Sequence, residues 1–64
     1  MTRLETIYTQ LKDANKITEV QKLSRGMRLE KAIEDNWEYS FFFDNDNLKK
    51  VEAYNGREFI EQYN

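Results

Sequence analysis

Cysteine, histidine and proline are absent from this 64-residue chain, and glycine occurs only twice. Without cysteine there is no disulfide, and without cysteine and histidine the usual zinc sites are excluded. The same two absences remove the commonest general base and the most reactive nucleophile. Gly26 and Gly56 stand alone, so there is no phosphate-cradling loop. The carboxylates show no paired arrangement for acid–base work. The chain is therefore expected not to be an enzyme and to need no cofactor, metal or small-molecule substrate.

Long apolar runs are missing as well. Phe41-Phe42-Phe43 is the longest strongly apolar run, far short of the roughly 20 residues that span a bilayer. Met1-Thr2-Arg3-Leu4-Glu5 lacks the apolar segment of a signal peptide. No membrane partner is expected, and the expected location is cytoplasmic.

Charged residues make up 34% of the chain and mean hydropathy is -0.94, which raises the question of disorder. Net charge is only -2, however, and one Trp, four Tyr and four Phe are present. Disordered chains are poor in aromatics and rich in Pro, so a single folded domain over residues 1–64 is expected. A domain this small buries only about 60% of its unfolded surface. With no disulfide or metal to help, the remaining routes are very good packing or association, and a homodimer or a place within a larger assembly is expected. Richness in Asn, Lys, Glu and Tyr suggests a low-GC gene, such as one from a phage or mobile element.

Charge is uneven along the chain. Residues 1–31 hold seven Lys/Arg and four Asp/Glu, whereas residues 32–64 hold three and eight. Neither half contains a long run of one sign, so neither reads as a charged tail.

Thr2-Arg3-Leu4-Glu5 fits a capping box, and Leu4, Ile7, Tyr8 and Leu11 follow helical spacing. These predict a first helix from about Thr2 to Ala14. Thr18-Glu19-Val20-Gln21 is a second capping-box match, followed by Leu23 and a Gly26 suited to a left-handed helix end. A second helix is expected from about Thr18 to Arg25. Residues 27–35 contain strong helix formers and are assigned to a third short helix. A first strand turning at Glu34-Asp35-Asn36 is the alternative; it would point Lys31 inward together with Met27, Leu29 and Ile33.

From Trp37 the period becomes two, which predicts a strand through Phe43. Asp44 to Asn47 is a turn, Leu48 to Tyr54 the return strand, and Asn55-Gly56 a type I′ hairpin signal. Residues 57–63 form a third strand or a short helix. The expected fold is α+β, with two or three short N-terminal helices packed on one face of a C-terminal antiparallel β-hairpin or three-stranded meander.

Register decides which residues share a face. A three-residue loop, Asn45-Asp46-Asn47, places Val51 and Ala53 with Trp37, Tyr39, Phe41 and Phe43 and buries no charge. The helices cover that face. The other face then holds Phe42, Tyr54, Phe59 and Tyr63, framed by Glu38, Lys50, Glu52, Arg57 and Glu61. An apolar patch with a charged rim marks a protein-binding site. The bland alternatives are ordinary half-exposed strand residues, or residues 57–63 folding back over Phe42 as a helix.

Asp44-Asn45-Asp46-Asn47 has the opening of a calcium loop, but Leu48 and Lys49 follow and Asn55 stands where the closing Glu is required. It reads as a turn. The order of helix, break at Gly26, helix and hairpin resembles that of a winged helix-turn-helix. On that alternative reading the chain is a winged-helix-like DNA-binding transcriptional regulator. Lys22, Arg25, Arg28 and Lys31 would contact phosphates, with Lys49 and Lys50 on the wing. Glu30, Glu34 and Asp35 along the same helix, and a pI of about 5.0, count against nucleic acid as the partner. The acidic second half is too interrupted by Lys49, Lys50 and Arg57 to imitate closely spaced phosphates.

The preferred expectation is a non-enzymatic protein–protein interaction module, such as a small regulator or inhibitor. It would bind a protein partner or itself through Phe42, Tyr54, Phe59 and Tyr63.

Overall fold

The computed structural model describes residues 2–64. One helix, α1 (Arg3–Asp13), precedes five strands: β1 (Ile17–Lys22), β2 (Met27–Glu34), β3 (Trp37–Asp44), β4 (Asn47–Tyr54) and β5 (Phe59–Tyr63). The strands form one antiparallel sheet in chain order. The expected two or three helices on a hairpin or three-stranded meander are thus corrected to one helix on a five-stranded meander.

α1 begins as its sequence dictates. The Glu5 N–H donates to the Thr2 hydroxyl at 3.2 Å, and the Thr2 N–H donates to Glu5 Oε1 at 2.7 Å. This capping box satisfies two of the amides that a helix start leaves unpaired. Leu4 and Leu11 are buried against the sheet. Ala14 caps the C-terminus, and Asn15 turns the chain at φ 59°.

The predicted second helix is strand β1. Its capping-box match is coincidental, and Ile17, Thr18 and Val20 are β-branched residues that favour an extended chain. A helix of eight residues would also be too short to hold itself without packing. Gly26 does take a positive φ of 75°, but in the β1–β2 turn rather than at a helix end. A Cβ there would lie 2.6 Å from Asn45 Oδ1, and the Gly26 carbonyl accepts the Asn45 N–H at 3.1 Å. The β1–β2 and β3–β4 turns are thereby tied together.

The predicted third helix is strand β2, paired on both edges along nearly its whole length. Two ladders of backbone hydrogen bonds override a helix propensity of a few tenths of a kcal/mol per residue. Sharing a face with Met27, Leu29 and Ile33 costs Lys31 nothing, because that is the side of the sheet away from α1.

Two turns are matched in type. Asp35-Asn36 and Asn45-Asp46 each join directly paired residues, with both φ values between 49° and 68°. That is the type I′ pattern, for which Asn and Asp are suited. The expected three-residue loop after Asp44 is therefore a two-residue turn. A β-bulge follows it: Phe43 pairs with Leu48 but Phe42 pairs with Lys50, leaving Lys49 extra. The bulge lets Leu48, Val51 and Ala53 all face α1. The Asn55-Gly56 signal is likewise corrected. Tyr54 pairs with Phe59 across a four-residue loop, held by Asn55 Oδ1, which accepts the Arg57 and Glu58 N–H groups at 2.8 and 2.7 Å.

The core lies between α1 and the middle strands. It comprises Leu4, Leu11, Ala32, Phe41, Phe43, Leu48 and Val51, with Ile7, Tyr8, Ile17 and Tyr39 packed around them. Phe41 is 0% exposed, and the Tyr8 ring meets Phe41 and Phe43 edge-on with centroids 5.2 and 4.9 Å apart. Burying rings of this size dominates the energetics of so small a core.

Candidate protein-binding face

Alternation along each strand divides the sheet into two faces. The face toward α1 carries Ile17 and Val20 from β1, Arg28, Glu30 and Ala32 from β2, and Trp37, Tyr39, Phe41 and Phe43 from β3. Leu48, Val51, Ala53, Ile60 and Gln62 complete it. The opposite face has no covering element among the described residues, and is here called the open face.

Pairing sets the open face out in rows across the strands. Ile33, Glu38, Tyr54 and Phe59 form one row. Glu19, Lys31, Ser40, Glu52 and Glu61 form the next. Gln21, Leu29, Phe42, Lys50 and Tyr63 form the third. Met27 and Asp44 lie beyond. All four residues singled out from the sequence, Phe42, Tyr54, Phe59 and Tyr63, stand on this face. Met27, Leu29 and Ile33 join them; reading residues 27–35 as a helix hid their contribution. Seven apolar or aromatic side chains thus flank one polar row.

The polar groups are organised around Lys50. Its Nζ lies 3.3 Å from Glu52 Oε2 and 3.5 Å from Glu61 Oε2. It also sits 4.5 Å from the Phe42 ring centroid and 5.8 Å from that of Tyr63. The hydrogen bond to Glu52, helped by Glu61, holds the Lys50 ammonium above the usual lysine range. Lys50 is therefore engaged within its own sheet. The paired positions of the face carry five carboxylates, those of Glu19, Glu38, Asp44, Glu52 and Glu61, against two lysines, Lys31 and Lys50, with the bulge residue Lys49 outside the pairing.

The four basic residues of the DNA-binding alternative are not brought together. Lys22 ends β1, Arg25 lies in the following turn at φ 62°, and Lys31 is on the open face. Arg28 points the other way, toward α1. Its Nε donates to Glu30 Oε2 at 2.7 Å, Nη1 donates to Asp46, and its guanidinium lies 4.2 Å from the Phe43 ring centroid. Strands occupy the positions where a helix-turn-helix would need its two helices.

Sequence reasoning missed the polar cluster that holds Arg28. Glu30 is only 6% exposed, and its Oε1 accepts the Tyr8 hydroxyl at 2.8 Å. Burial, followed by the Glu30 hydrogen bond and charge, pushes the Tyr8 phenol up to about 12. Tyr8, Arg28 and Glu30 satisfy one another, and the cluster reads as a structural pin between α1 and β2. No helix among the described residues is long and apolar enough to cross a membrane. Comparison with protein-family models, with curated proteins and with solved structures finds no match to this chain.

Proposed function

We propose that this protein is a binding module that receives a partner protein on the open face of its sheet. The supporting observation is that Met27, Leu29, Ile33, Phe42, Tyr54, Phe59 and Tyr63 stand on a face with no covering element among the described residues. Aromatic residues concentrated on a surface with charged neighbours are typical of contact patches. The carboxylate excess makes the complementary surface basic at its edges and apolar between them, so a second open face is a poor match. Five strands and four rows give a footprint of roughly 20 by 20 Å, toward the small end of specific interfaces. Burial of the two apolar rows supplies the affinity, and the carboxylates set orientation.

The test is site-specific photo-cross-linking in the cells that encode the protein. Benzoylphenylalanine at position 54, on the open face, is expected to trap one discrete partner. The same probe at Gln10, on the exposed side of α1, is expected not to. Addition of Phe42→Asp to the position-54 probe should abolish the adduct. Equal trapping from positions 54 and 10, or an adduct that persists with Phe42→Asp, overturns the reading.

A further inference from the structure

The two edges of the sheet are built differently. β1 is interrupted by a bulge at Thr18, between Ile17 and Glu19. Along its remainder Glu19, Gln21 and Lys22 surround a single apolar residue, Val20. A bulged, polar, charged strand is a blunted edge. β5 is less protected, with Glu61 its one charged residue. It pairs with β4 without a bulge, contains no Pro or Lys, and is exposed along its whole length. Phe59 is 59% exposed, Ile60 40% and Tyr63 71%.

The backbone of β5 is also half unpaired. The Asn55 N–H donates to the Glu58 carbonyl at 3.2 Å, and the Asn64 N–H donates to the Lys49 carbonyl at 2.9 Å. With the observed register, residues 58, 60, 62 and 64 turn their hydrogen-bonding groups toward β4. The alternation of an antiparallel ladder then points the N–H and C=O groups of Phe59, Glu61 and Tyr63 away from the sheet.

We propose that this edge pairs with the same edge of a second copy, β5 antiparallel to β5, about a twofold axis at Ile60. Outward groups must meet outward groups, so the available registers are centred on Ile60, Glu61 or Gln62. The Glu61 register sets two carboxylates directly opposite, which is unfavourable. The Gln62 register sets the apolar Ile60 opposite Asn64 of the partner subunit and moves Arg57 of the partner subunit away from Glu61. The Ile60 register moves the carboxylates apart and places Glu61 opposite Phe59 of the partner subunit. It also brings Arg57 of the partner subunit alongside Glu61, and sets Ile60 against Ile60 of the partner subunit on the helix side. The two sheets become one of ten strands. Both α1 helices lie on the same side, and the two open faces lie side by side on the other. This pairing is independent of the partner proposed above, because it leaves the open faces uncovered.

The absence of cysteine makes the register directly testable. In the Ile60 register the two Ile60 residues form a close, non-hydrogen-bonded pair with Cα atoms about 4.5 Å apart, within the range a disulfide bridges. Ile60→Cys is expected to oxidise rapidly to a covalent dimer, and Glu61→Cys and Gln10→Cys much more slowly. Sedimentation of the wild-type chain over a micromolar concentration series should show a monomer–dimer equilibrium. Glu61→Pro removes one outward N–H per chain without touching the β4 ladder, and should weaken the dimer by about tenfold. Should that variant fail to fold by circular dichroism, Ile60→Lys takes its place, since it sets two ammonium groups against each other at the axis. A wild-type chain that stays monomeric throughout overturns the pairing. So does a dimer unaffected by Glu61→Pro or Ile60→Lys, or cross-linking through position 10 as fast as through position 60. Faster cross-linking through position 61 than through position 60 overturns the register.

Discussion

Glu30 lies opposite Phe41 beneath α1 with two donors on its carboxylate, the Tyr8 hydroxyl and Arg28 Nε. A buried carboxylate that loses a donor keeps its desolvation cost, so Tyr8→Phe should destabilise the fold by about 1–3 kcal/mol. The same pair makes stability fall at alkaline pH. The Tyr8 phenol titrates near 12 in the fold against 10.0 for an ordinary tyrosine. Its contribution is complete below pH 10 and is lost as pH rises toward 12, because the unfolded chain releases the proton first. Tyr39, also raised chiefly by burial, adds to the same trend. Denaturant unfolding measured from pH 8 to 12 should show a steeper loss of stability in the wild type than in Tyr8→Phe. Parallel curves would mean that Tyr8 does not titrate as its surroundings dictate. None of this was legible in the sequence. Arg28 and Glu30 are charged residues two apart in a segment with helical propensity. Only the two-sided pairing of β2 turns both toward the core.

At the level of elements, the sequence is most legible where periodicity and local chemistry agree. α1 carries both a capping box and helical apolar spacing, and β3 alternates over eight residues. β1 and β2 were obscured because a coincidental capping box and a run of Leu, Glu, Lys and Ala point to helix, whereas pairing across the sheet decides their structure. The assumption that Met27, Leu29 and Ile33 must face the core made a strand there look as if it buried Lys31. The β3–β4 hairpin shows a subtler limit. The faces of Val51 and Ala53 were readable, but the device that sets them is a two-residue turn plus a bulge, not a three-residue loop. A consequence can be measured. Deleting Lys49 restores regular pairing of Phe42 and Phe43 with Lys50 and Leu48, and keeps every side chain on its face. The loss is confined to the backbone around Lys49, including its bond from Asn64, so the expected cost is about 1 kcal/mol. Deleting Ser40 instead inverts half of β3 relative to both neighbours, and should cost about 3 kcal/mol or more. Thermal melts of the two variants would compare them directly. Equal destabilisation would show that the bulge is required for more than register.

At the scale of the molecule, the described residues give one helix for a five-stranded sheet, and that imbalance separates residues that hold the fold from residues available for contact. Phe41 and Phe42 are neighbours on opposite faces. Phe41 is fully enclosed beneath α1, so Phe41→Asp buries an unpaired charge in the core and should abolish folding. Phe42 is half-buried among Leu29 and Lys50 on the open face, where an aspartate can reach water and lies beside an ammonium. Phe42→Asp should therefore fold, with stability reduced by about 1 kcal/mol, a typical value for a partly exposed position. It should lose the photo-cross-linked partner. The β5 edge is two strands away from Phe42, so disulfide formation by Ile60→Cys should be unchanged in the double variant. The converse change, Ile60→Lys, should separate the copies while each monomer still traps its partner from position 54. If instead each substitution disrupts both contacts, the open face and the β5 edge act as one surface, and the two proposals would collapse into a single interface centred on Phe59 and Tyr63, the residues they share.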